Sequence, residues 1–146
     1  MTPTLMGRLQ TRVLLFIVLG LPITALFSWA IGLGEIGRYW DPFVFLAGLL
    51  VVGLILDPAY MQLQRFRWDN DWPFAFQFFF SIIEFLITLG LMNLGVLDAF
   101  LVDRIPWATA SIHFTLVFLP SFVALLGGIQ IFLVRWRFKG GELGRH

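Results

Sequence analysis

The segment PFAFQFFFSIIEFLITLGLMNL, residues 73–94, decides the class of this chain. It carries a single ionisable side chain, Glu84, and as an α-helix it is long enough to cross ~30 Å of hydrocarbon. Its polar residues are ordered. Gln77, Ser81, Glu84 and Thr88 follow one another at steps of four, three and four. At 100° per residue they fall within about 60° of arc, one narrow polar stripe on an otherwise apolar cylinder. A helix in water needs a wide polar face, whereas a helix in lipid needs polar groups only where a neighbouring helix covers them.

Three more apolar runs flank this one, at about 13–31, 39–56 and 107–134. The last is long for one crossing, so it must tilt, kink at Pro120 or project from the bilayer. The composition agrees, at 59% hydrophobic and 13% charged, since soluble domains carry about a quarter charged residues. Five of the six tryptophans, Trp40, Trp68, Trp72, Trp107 and Trp136, sit at span ends, where an amphipathic ring is best placed. The sequence therefore predicts an all-α membrane protein, a four-transmembrane-helix bundle forming a single membrane domain over residues 1–146. The first apolar run resembles a cleavable leader. Because apolar sequence continues past Ala30, it is expected to stay as a span.

Asp41-Pro42, Asp57-Pro58 and Asp71-Trp72-Pro73 each set a capping carboxylate ahead of a proline suited to a helix's first turn. On that reading the 57–72 loop holds a short amphipathic helix beginning at Pro58. Ala59, Tyr60, Leu63 and Phe66 share one side of it, and Gln62 and Arg65 the other. Such a helix lies along the headgroups. Arg65, Arg67, Arg135, Arg137 and Lys139 are its expected contacts, and those of the 135–146 tail, with lipid phosphates or a docking partner. Asp69-Asn70-Asp71 is explained by capping, and no metal site is expected.

Orientation follows from the basic residues. Arg8, Arg12, Arg65, Arg67, Arg135, Arg137, Lys139 and Arg145 fall on one side, and only Arg38 and Arg104 on the other. Eight against two predicts cytoplasmic termini and a cytoplasmic 57–72 loop.

Glu84 is the most informative single residue. A carboxylate near mid-span costs several kcal/mol unless it is paired, neutral or in water. Unpaired, it is expected to keep its proton and to hydrogen-bond the fourth span. Pro120 there leaves the Leu116 carbonyl without a helical donor. In such a structural role Glu84→Gln would be nearly silent, while a proton- or ion-carrying Glu84 would not tolerate the change. Gln130 lies at a depth that suits a bond to Gln77. His113 is a candidate haem or pigment ligand, though a lone His in an apolar helix also serves as a hydrogen-bonded packing residue. Gly20, Thr24, Ser28 and Gly32 recur every four residues, a seam for close helix approach.

With no cysteine, thiolate chemistry and disulfides are excluded. Phosphate-loop, zincin and nucleophile-elbow motifs are missing, so no catalytic residue is assigned. A formal net charge of +1 gives no reason to expect nucleic acid. The expected partners are the lipid bilayer and other membrane subunits or further copies of the chain. The leading expectation is a non-catalytic membrane subunit, assembly factor or scaffold. The alternatives are a small oligomeric transporter or channel using Glu84, and a haem- or pigment-associated protein using His113.

Overall fold

The computed structural model describes residues 4–31, 39–66 and 73–132, and four long apolar helices account for most of them. These are α1 (Leu5–Ile31), α2 (Asp41–Arg65), α3 (Phe74–Asn93) and α4 (Trp107–Gly128, continued by Ile129–Phe132). Each is long and apolar enough to cross a membrane, and no strand occurs among the described residues. The chain is thus an all-α, four-helix membrane bundle.

Two boundaries depart from the sequence reading. Helix α1 begins at Leu5, two turns before the expected 13–31 span. The Thr4 hydroxyl accepts from the Gly7 N–H at 3.1 Å and caps it. Arg8 and Arg12 therefore belong to the helix. They do not flank it. Helix α2 does not stop at Leu56 but runs unbroken through Pro58 to Arg65, ~37 Å in all. No separate surface helix starts at Pro58. A proline inside a helix forfeits one hydrogen bond, here to the Leu54 carbonyl, and tertiary contacts of the flanking residues outweigh that loss. Tyr60, placed by the sequence on a lipid-facing side, is buried against Phe80, with ring centroids 4.5 Å apart. Leu63, Phe66 and Arg65 are exposed. Arg67, Asp69, Asn70 and Asp71, like Arg135, Arg137 and Lys139, lie outside the described residues.

Helix α3 keeps its expected extent and ends in a paired-carbonyl cap. Val96 N–H donates to the Leu91 carbonyl and Gly95 N–H to that of Met92, at 3.0 and 3.1 Å. Gly95 takes φ +80, as this termination requires. In the 94–106 connection the Arg104 guanidinium bonds Asp98 at 2.6 Å and holds that exposed carboxyl below its usual range. Asp41 does not cap its own helix. Its carboxylate accepts from the Val102 and Asp103 N–H groups at 2.8 and 3.3 Å, tying the start of α2 to the segment before α4.

Helix α4 continues through Pro120 and then takes a π-helical turn, Ala124–Gly128. A second π-helical turn, Phe16–Gly20, interrupts α1. Each adds one residue to a turn and re-aims the face beyond it. Near the 94–106 connection, Phe45, Phe85, Met92 and Ala110 form a tight core with Leu97, Leu101 and Phe114 against it. On the other side of this core a chamber opens between the four helices. Up to Leu15, α1 packs on α2, and from Phe16 onward it also meets α4. The outward surface is apolar, with Leu26, Trp29, Ile55 and Ile131 all more than 60% exposed, as lipid contact requires.

Candidate functional site

Beside the chamber, four ionisable side chains from three helices converge. Arg12 of α1 reaches between α2 and α3. Its Nη1 donates to Glu84 Oε2 at 2.7 Å and its Nη2 to Glu84 Oε1 at 2.9 Å. Its Nε and Nη2 donate to Asp57 Oδ2 and Oδ1, both at 3.1 Å. Arg8, one turn earlier, donates from Nε to Asp57 Oδ1 at 3.4 Å, and its guanidinium lies over the Tyr60 ring, 5.6 Å from the centroid. Two guanidiniums thus face two carboxylates, with Asp57 and Glu84 nearly inaccessible. Planar forks suit this double bidentate clamp, which lysine could not make. In hydrocarbon a lone charge of either sign is very costly, so the neutral sum is what allows the four groups to be buried.

Two local features make room for the clamp. Gly53 stands where α2 passes the guanidinium. A Cβ there would collide with Arg12 Nη1 and lie 2.5 Å from Cζ and 3.0 Å from Glu84 Oε2. Asp57, immediately before Pro58, serves as a counter-charge in place of the cap expected from sequence.

The cluster forms one wall of a chamber of about 280 Å³ between the first half of α1, α2, the start of α3 and the end of α4. Gln77, Ser81 and Glu84 lie on that wall with Arg8, Arg12 and Asp57, while Phe114, Phe118 and Phe122 line the α4 side. Those three rings stack at four-residue intervals, with centroids 5.3 and 5.4 Å apart. Phe16 and Leu125, one from each π-helical turn, also line it. Both irregular turns therefore border the cavity, a common place for such turns.

The expected polar stripe is real, but its partners differ from those anticipated. Glu84 bonds Arg12 and not the Leu116 carbonyl, so it faces α1 and α2 more than α4. Two arginines supplied within the bundle outcompete a lone carbonyl for a carboxylate. Ser81 donates to the Gln77 carbonyl at 2.7 Å, and Thr88, fully buried, to the Glu84 carbonyl at 2.8 Å. Thr88 packs beside Gly48. The Gln130 side chain, and with it a bond to Gln77, lies outside the described residues.

His113 lies away from the chamber. Its Nε2 shares a 2.8 Å hydrogen bond with Thr24 Oγ1, and its ring sits 4.9 Å from that of Phe27 and 6.3 Å from that of Phe45. With Nε2 engaged and the ring enclosed, this is the geometry of a helix-to-helix tie between α1 and α4. Gly20, Thr24 and Ser28 are all buried along the same seam. Thr24→Val is expected to cost about 1–2 kcal/mol, by leaving a buried imidazole nitrogen without its partner. Unfolding of the purified variant in mixed micelles measures this, and an unchanged midpoint would refute the tie.

Sequence reasoning missed Arg8, Arg12, Asp57 and Tyr60. The available signal was two basic and two acidic residues bordering or inside apolar runs, at depths that an up-down bundle brings together.

No protein-family model matches the chain, and neither a curated protein nor a solved structure is significantly similar to it. Function must therefore be argued from the site.

Proposed function

We propose that this chain is a small membrane carrier that takes a compact amphiphilic solute into the chamber between α1, α3 and α4. The supporting observation is that α1 packs on α2 and α4, while its principal link to α3 is the Arg12–Glu84 ion pair beside an open chamber. A solute head that competes for Glu84 would loosen that link, so occupancy and helix separation would be coupled. Ligands shift a conformational equilibrium only through such differential contacts. Four helices rarely enclose a pathway alone, and the carrier is proposed to act as an oligomer.

The test is counterflow in proteoliposomes with three matched radiolabelled probes, phenethylamine, phenethyl alcohol and 3-phenylpropanoate. At least one is expected to accumulate. Ser121→Trp should abolish accumulation by filling the chamber beside Phe118 without touching the charge cluster, and should leave the unfolding midpoint unchanged. If the wild type accumulates none of the three, the carrier reading falls.

A second reading, a non-catalytic subunit of a larger complex, is favoured by the complete pairing of the charge cluster, which can serve purely to fix the bundle. Stoichiometric co-purification of other subunits in mild detergent would support it.

The orientation proposed for either role has both termini and the connection after α2 in the cytoplasm. Removing Arg8 and Arg12 from the loop count leaves six basic residues against two, so the bias persists. A reporter fused after residue 146 is expected to read as cytoplasmic. A signal from the opposite side would reverse the topology.

A further inference from the structure

The chamber's hydrogen-bonding capacity is one-sided, and this points to the chemistry of its occupant. The Ser81 hydroxyl spends its only proton on the Gln77 carbonyl, and Ser121 spends its own on the Val117 carbonyl, at 2.7 and 2.8 Å. Each hydroxyl is left with lone pairs and nothing to donate. Four of the five N–H groups of Arg12 are directed at Asp57 and Glu84. The Arg8 guanidinium is held by Asp57 and the Tyr60 ring. The two hydroxyls and most of the Arg12 fork are thus already engaged as donors, and the Gln77 amide offers both donor and acceptor. The acceptors still have capacity, because a carboxylate has about four lone-pair sites and Glu84 accepts two bonds from the guanidinium of Arg12. Across the chamber the stacked Phe114, Phe118 and Phe122 rings supply apolar area and negatively polarised faces.

We infer that the chamber selects a primary ammonium on a small aromatic or apolar body. The N–H groups would bond Ser81, Ser121 and a carboxylate oxygen of Glu84, and the body would lie on the α4 rings. A carboxylate or phosphate head would meet acceptors and repulsion, and a neutral alcohol would satisfy only one of them. Aromatic faces add to the preference for a cation. A volume of about 280 Å³ lies at the small end of ligand sites, which run from ~300 Å³ upward, so the body is the size of one ring with a short chain. This inference rests on the carrier reading for the location of the site and adds the class of solute.

The experiment is binding of the same three probes to the full chain in nanodiscs, by titration calorimetry at neutral pH. Phenethylamine is expected to bind one per chain, at least tenfold more tightly than phenethyl alcohol, with no measurable binding of 3-phenylpropanoate. Ser81→Ala and Ser121→Ala should each weaken phenethylamine binding three- to tenfold. Phe118→Leu should weaken the amine more than the alcohol. Thermal unfolding of each variant separates a local loss of binding from a loss of fold. If 3-phenylpropanoate binds as well as the amine, the ammonium preference is wrong while the chamber remains a binding site. If the serine variants bind phenethylamine as the wild type does, the assigned contacts are wrong. If no probe binds to folded wild type, both the preference and the carrier reading fail.

Discussion

Arg12→Met is expected to destabilise the bundle by about 3–5 kcal/mol, the scale for removing one partner of a buried charge pair. The substitution keeps most of the side chain's volume and apolar stem, so the loss comes from charge. Without Arg12, Glu84 loses both hydrogen bonds from its guanidinium partner, and Asp57 keeps the longer bond from Arg8 at 3.4 Å. Two carboxylates then share one cation inside the bundle. The double substitution Arg12→Met with Glu84→Met should recover most of the loss. It restores neutrality by leaving one pair, Arg8 with Asp57, and places two flexible apolar side chains where the second pair stood. Unfolding by SDS in mixed micelles measures both variants against the wild type. If Arg12→Met unfolds at the wild-type SDS fraction, the cluster does not hold the helices together. If the double variant is no better than the single, the cost is not electrostatic.

The same geometry revises what Glu84→Gln should do. Read from sequence, a neutral glutamic acid bonding a backbone carbonyl would tolerate the amide almost silently. Paired with Arg12, the glutamine loses a charge and one of two acceptors. Arg12 keeps Asp57, so the cost should fall below that of Arg12→Met but not vanish.

How much of this was legible beforehand depends on the kind of signal. The four spans follow from hydropathy over long windows, and the polar stripe on α3 from helical periodicity; both survive in the structure because each is averaged over many residues. The start of α1 and the end of α2 were misplaced for one shared reason. A charge beside an apolar run reads as the edge of the membrane, and a proline after an aspartate reads as a helix start. Both rules assume that the local sequence decides. Arg12 and Asp57 instead solve each other's burial across 45 residues of chain, and no window contains both. The partner chosen by Glu84 was hidden likewise, since depth in a bundle constrains which residues are level but not which helices are adjacent. The four-residue small seam was more informative. It correctly marked the face on which α1 is buried, although it did not reveal that His113 would bond Thr24.

Gly53→Ala isolates the most exacting contact in the site, because one methyl group is set against a single guanidinium. In a helix exposed to lipid, Gly→Ala ordinarily favours the helix by up to ~1 kcal/mol. At Gly90, where an added Cβ meets nothing within 4 Å, that gain is the expected result. At Gly48 the added atom would lie 3.2 Å from Thr88 Cγ2, a contact that a small shift relieves, so the effect should be slight. At Gly53 it would collide with Arg12 Nη1 and crowd Glu84 Oε2. Arginine is flexible, but this guanidinium is fixed by hydrogen bonds to two carboxylates on two helices, and it cannot retreat without breaking some of them. Gly53→Ala should therefore cost nearly as much as Arg12→Met, about 3 kcal/mol or more. The deciding measurement is the double-mutant cycle. With Arg12 already replaced by alanine the obstruction is gone, so adding Gly53→Ala should cost nothing and even restore a few tenths of a kcal/mol through helix propensity. A cycle that is additive, with Gly53→Ala equally harmful in both backgrounds, would mean that the glycine serves close packing of α2 and not the passage of Arg12.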